Sequence, residues 1–161
     1  LKVAVPAAEK AGVRMALHPD DPPIPEPLGG VAQICSTLEQ FRRIFATIPS
    51  DNHRMLFCQG CMTELVGPER IYEVIAEMAS NNKIEWVHFR NVKGQLPRFV
   101  EVFHDEGEVD MHKAMRVYRD NGFNGPFGMD HTPSFPQERA GWAGKAYANG
   151  YIRALINTVY G

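Results

Sequence analysis

The strongest constraint on the fold is an alternation that recurs four times: a short apolar segment, a loop, then an amphipathic helical pattern. Apolar runs of four to eight residues between turn signals read as strands, and spacings of three and four read as helices with one buried face. Strands that alternate with helices run parallel, because each helix carries the chain back across the sheet. The expectation is therefore an α/β chain of about four βα units, a parallel sheet with its helices packed outside.

The first strand is read at Val13 to His18, and its loop carries Pro19, Pro22, Pro23, Pro25 and Pro27, too poor in backbone donors for regular structure. Ser36 reads as the next N-cap, with Glu39 closing a capping box ahead of the stripe Leu38, Phe41, Ile44, Phe45 and Ile48. A second strand is predicted from Arg54 to Cys58, with a helix announced by Pro68 and striped by Ile71, Val74, Ile75 and Met78. The third strand is Ile84 to Phe89, followed by a long loop through Arg90, Gly94, Pro97 and His104 and a helix capped by Asp110 and Gly122. The fourth is brief, around Pro126 to Asp130, and a last helix runs from about Gly144 to Tyr160. Leu1 runs straight into Val3, Ala4, Val5, Ala7, Ala8 and Ala11, which reads as the middle or end of a helix whose beginning is lost.

Each predicted strand ends in a residue able to bind a metal: His18, Cys58, His88 and Asp130, separated by 40, 30 and 42 residues. Parallel strands open their C-terminal ends on one face, so residues this far apart can converge there. Two imidazoles, a thiolate and a carboxylate suit a borderline divalent ion, and Ca²⁺ would not choose them. Each residue also has a plainer reading, a hydrogen-bonded strand-end histidine or a small buried cysteine. Cys58 and Cys61 form a C-x-x-C pattern that also reads as a redox pair; no second C-x-x-C exists to complete a four-cysteine zinc site. Cys35 has only a core reading, and His53 and His112 read as surface residues.

The net charge of -2, from 17 basic and 19 acidic residues interspersed along the chain, leaves no footprint for nucleic acid or anionic lipid. No apolar run approaches the roughly 20 residues a bilayer crossing needs, and no leader pattern opens the chain. The expected setting is cytoplasmic, with no membrane or nucleic-acid partner. Three cysteines are too few for a secreted disulfide framework.

The run Ala16-Leu17-His18-Pro19-Asp20-Asp21-Pro22-Pro23 resembles a signature of the mannonate dehydratase family. Phe57-Cys58-Gln59-Gly60, Val87-His88-Phe89-Arg90, His104 with Gly107-Glu108-Val109-Asp110-Met111, Asp130-His131, and Tyr147 with Gly150-Tyr151 follow in the family's order. One departure is visible: many members read Arg-Pro-Asp-His where this chain reads Gly128-Met129-Asp130-His131.

The resemblance implies a (β/α)8 TIM barrel of the xylose isomerase-like group, of which residues 1–161 are the C-terminal half. It implies Mn²⁺ or Fe²⁺ on residues matching His18, Cys58, His88 and Asp130, and a hydro-lyase that dehydrates D-mannonate to 2-keto-3-deoxy-D-gluconate in hexuronate catabolism, homo-oligomeric at full length. It also assigns catalysis to His131 and Tyr147, with His131 as proton donor to the leaving hydroxyl and Tyr147 as base, or the two roles exchanged. A tyrosine with its ordinary pKa near about 10 needs a nearby cation or metal to act as base. Arg90 and His104 are expected to bind substrate, Arg90 by a bidentate grip on its carboxylate. A metal-dependent isomerase on the same barrel, or a folded fragment that binds metal without turnover, remain as alternatives.

Overall fold

The computed structural model describes residues 1–136 and 141–161. Helix α1 (Ala4–Ala11) ends at Gly12 in the left-handed conformation and leads into strand β1 (Met15–Leu17). Then come α2 (Leu38–Thr47), β2 (His53–Cys58), α3 (Gln59–Val66), α4 (Ile71–Ser80), β3 (Ile84–His88), β4 (Asn91–Gln95), β5 (Arg98–Val102), α5 (Met111–Asp120), β6 (Phe127–Gly128) and α6 (Trp142–Val159). The main sheet has the order β1-β2-β3-β6, parallel throughout, while β4 and β5 pair as a separate antiparallel hairpin.

The two faces of the sheet differ as the strand period requires. Met55, Phe57, Ile84 and Val87 are buried and belong to one core with Phe41 of α2, Ile71 and Ile75 of α4, Met111, Met115 and Tyr118 of α5, and Ile152 of α6. The opposite face carries Leu56, Trp86 and His88, which are partly or well exposed. That face is the inside of a barrel wall. The parallel βα architecture matches the expectation, with β1, β3 and β6 trimmed by one or two residues at an end and β2 starting one residue earlier, at His53.

Four local expectations are corrected. The cap of α2 is Thr37, whose side chain accepts from Gln40 N, while Gln40 reaches back to Ser36 N at 2.8 Å; the box is shifted one residue because Phe41 and Phe45 must face the core. Helix α3 follows β2 directly and was masked in the sequence because it is buried nearly all round, which erases the amphipathic period. The long segment after β3 holds the β4–β5 hairpin, which turns at Leu96-Pro97, with Gly94 at φ 83° inside β4 where the Arg98 backbone leaves no room for a Cβ. His53 is 1% exposed, its Nδ1 3.3 Å from the Ile48 carbonyl and its ring edge-on to Phe45, and His112 is half-buried beside Arg116. Asp110 does cap α5, accepting from Lys113 N, and Gly122 follows that helix in the left-handed conformation.

Candidate metal centre

The register of the sheet decides which strand-end residues meet. Cys58 pairs with His88 and His88 with Gly128, so three strands end level with one another. His18 follows β1 directly, and Asp130 stands two residues past Gly128 with φ 62°, a left-handed conformation that Asp tolerates better than most residues. One donor atom each from His18, Cys58, His88 and Asp130 all lie within 4.8 Å of one another.

Their hydrogen bonds prepare them as donors. His18 Nδ1 lies 2.6 Å from the Pro19 carbonyl, which holds the proton there and leaves the Nε2 lone pair directed away. His18 and His88 sit with ring centroids 5.3 Å apart. Buried His88 Nδ1 is 3.2 Å from Asp130 Oδ2 but out of hydrogen-bond alignment, so its polar atom is left without a proper partner. An orphaned imidazole nitrogen beside a thiol and a carboxylate is the arrangement a divalent ion would complete. Burial pushes the Cys58 thiol up, yet contacts from Cys61, His18 and His88 and the charge of Arg90 together bring it well below the ordinary range, favouring thiolate. Its neighbour Cys61 is pushed upward, first by the Cys58 sulfur and then by burial. The Cys58 contact likewise raises His18, against burial.

Arg90 is where the structure departs furthest from a solvated loop arginine. It is 3% exposed, with Nη2 3.3 Å from Asp21, Nη1 3.3 Å from Glu101, Nε 3.2 Å from Asp130, and Nη2 also donating to both sulfurs of Cys58 and Cys61 at 3.1 Å. Gly60 makes room for it: a Cβ there would meet the guanidinium carbon at 2.9 Å. Asp21, Cys61 and Glu64 also fall within 4.8 Å of one another, but the guanidinium already sits against two of these three. Glu64 is fully buried with neither carboxyl oxygen bonded, and burial pushes its pKa up to about 7, against the pull of Arg90.

The remaining predicted residues ring this network at different depths. His131 is half-exposed, with Nδ1 2.8 Å from Glu101 Oε1 and Nε2 3.4 Å from Asp130 Oδ2, so it adjoins the four-residue cluster. His104 is buried between Phe89 and Tyr151, and burial lowers its pKa. Tyr147 packs on Phe103 and Tyr151; a hydrogen bond to Asp105 is the main cause that pushes its pKa up to about 12. Sequence reasoning missed Glu101, Cys61 as a partner of Arg90, and Asn91, whose amide donates to the carbonyls of His104 and Val109 and accepts from Val109 N, tying the loop shut. Glu101 lies on a hairpin with no helical or metal spacing to announce it. A cleft of about 240 Å³ lined by Arg14, Arg54, Glu85 and Pro126 lies at the other end of the strands and contains none of these residues.

A parallel βα wall with a mixed imidazole, thiolate and carboxylate cluster at its C-terminal strand ends is part of a xylose isomerase-like TIM barrel. A xylose isomerase domain protein from Alicyclobacillus acidocaldarius superposes with a TM-score of 0.70 at 13% identity, over 98% of this chain and 55% of that one, which shows the fold. Within that class the chain belongs to the D-mannonate dehydratase (UxuA) family, whose sequence model matches residues 1–160. A mannonate dehydratase of Lactococcus lactis is 32% identical over 98% of this chain and 47% of its own length. The crystal structure of mannonate dehydratase from Streptococcus suis gives a TM-score of 0.74 at 27% identity, covering 95% of this chain and 46% of that one. The chain thus spans about half the length of the curated relatives it matches. No helix among the described residues is long and apolar enough to cross a membrane.

Proposed function

We propose that this chain carries the metal-binding half of a mannonate dehydratase site, in which His18, Cys58, His88 and Asp130 hold one Mn²⁺ or Fe²⁺ for the dehydration of D-mannonate to 2-keto-3-deoxy-D-gluconate. The observation that carries the reading is the convergence of these four donors, from four strand ends, within 4.8 Å. When bound, the ion supplies Lewis-acid stabilisation for the negative charge that builds on the substrate carboxylate as its C2 proton leaves.

The chain's own groups divide the proton transfers. His131 has Nδ1 2.8 Å from Glu101 and Nε2 3.4 Å from Asp130, so two carboxylates hold it beside the cluster, where it can move a proton to or from the substrate. Tyr147 has the Asp105 carboxylate beside it, where a tyrosine base would need a cation. These surroundings weigh against Tyr147 as the base and leave His131 as the better placed of the two for proton transfer. Arg90 has its guanidinium engaged by carboxylates and sulfurs, so it serves to fix Asp130 and Cys58 and leaves the substrate carboxylate to the metal. His104, packed behind Tyr151, shapes the wall beside Tyr147.

The test is incubation of the 161-residue chain with Mn²⁺ and D-mannonate, following 2-keto-3-deoxy product and bound metal together. One ion per chain with product, both lost in Cys58→Ser, supports the reading. One ion without product makes the chain a metal-binding unit lacking turnover, and metal binding unchanged in Cys58→Ser removes Cys58 from the ligand set.

A further inference from the structure

Cys61 is outside the four-donor cluster, yet it stands against one of its members. Cys58 is the N-cap residue of α3 and Cys61 lies in that helix's first turn, three residues on, where neighbouring side chains share one helix face. Both thiols are free and buried, and one Arg90 nitrogen donates to both sulfurs at 3.1 Å each. A single donor shared by two sulfurs brings them onto the same side of one group, and its positive charge stabilises the anionic sulfur that attacks an oxidant. Cys58 itself is buried, but the side chains of His88 and Asp130 beside it keep 19% and 21% of their surface in solvent, so the cluster that holds it borders water.

We propose that Cys58 and Cys61 form a dithiol oxidation site that takes hydrogen peroxide, and that the resulting disulfide and a metal on Cys58 exclude one another. The second half rests on the metal reading above; the first does not. In the first step the Cys58 sulfur attacks the peroxide, the O–O bond breaks, and a sulfenic acid and one water form. In the second the Cys61 sulfur displaces hydroxide from that sulfenic acid, the S–S bond forms, and a second water leaves. Two electrons pass from the sulfurs to the peroxide. A Cys58 tied into a disulfide has no thiolate for an ion, and an ion on that thiolate blocks the first step.

The experiment treats the 161-residue chain with hydrogen peroxide, once after chelation and once loaded with Mn²⁺, then counts free thiols by alkylation and maps linkages by mass spectrometry. The chelated chain is expected to drop from three thiols to one, to lose two hydrogens in intact mass, to show a Cys58–Cys61 linkage, and to recover its thiols and Mn²⁺ binding with dithiothreitol. The Cys35→Ser chain should still form the bridge and the Cys61→Ser chain should form none. Retention of all three thiols, a bridge through Cys35, or oxidation of Cys58 without pairing overturns the dithiol. A bridge that forms equally fast in the Mn²⁺-loaded chain overturns the exclusion. If the reduced chain binds no Mn²⁺ at all, the metal reading falls by that measurement, while the thiol count still decides the dithiol.

Discussion

Replacing Arg90 with methionine removes one cation from among three carboxylates and two sulfurs while keeping much of the side chain's apolar volume. Its contacts of 3.2–3.3 Å to Asp21, Glu101 and Asp130 would each be worth about 5 kcal/mol of Coulomb attraction at an effective dielectric of about 20. Desolvation of the arginine, whose side chain is 4% exposed, consumes much of that sum. Breaking a buried ion-pair network by deleting one partner costs about 3–5 kcal/mol, because the others stay behind uncompensated. The three acids keep 21–38% of their side-chain surface in solvent, so water takes up part of the loss and the lower figure, about 3 kcal/mol, applies. For a domain of this size that lowers the melting temperature by about 6–12 °C. Thermal unfolding of the metal-free chain by circular dichroism reads the number directly. Arg90→Lys, which keeps the charge but loses the planar fork, should fall between. A metal-free Arg90→Met chain melting within about 2 °C of the parent would show that the network contributes nothing to folding and refute the account of Arg90 as its centre.

Other residues give separate tests. Gly60→Ala drives a Cβ to 2.9 Å from the Arg90 guanidinium carbon, and should cost about 1–3 kcal/mol by denaturant titration; a neutral result would mean that the guanidinium moves aside freely. Glu64 is raised from 4.5 to about 7 by burial, so the folded state holds an extra proton between those values and stability falls as pH rises through that window. Glu64→Gln should remove that fall, giving a flatter stability profile from pH about 5 to about 8, and an unchanged slope would place the proton elsewhere. Tyr118→Phe deletes the buried hydroxyl that donates to Gln59 Oε1 at 3.2 Å, costing about 1–2 kcal/mol of stability in chemical denaturation. Metal titration of the same variant should be unaltered, since Tyr118 packs on the helix side of Phe57.

The alternation of strands and helices was readable because each rests on local periodicity: β2 ends in Cys58 as its apolar run suggests, β3 stops at His88, one residue before the expected Phe89, and the stripes of α2, α4 and α5 carry the buried residues. Helix α3 escaped for the opposite reason, being buried on nearly every side and so without a polar face to mark its period. The strand-end position of His18, Cys58, His88 and Asp130 followed from the chain alone, since a βα repeat sends every such end to one face. Their approach to within 4.8 Å did not, because it depends on the pairing of Cys58 with His88 and on the left-handed turn at Asp130. Arg90 shows the same division. Its place two residues after a strand-end histidine made it a site residue, but burial among Asp21, Glu101, Asp130 and two sulfurs requires segments up to 69 residues apart to close around it. Sequence patterns record which face a residue occupies; charges that compensate one another across the fold leave no spacing, so only tertiary packing decides whether an arginine stands free at a strand end or is enclosed by the carboxylates and sulfurs around it.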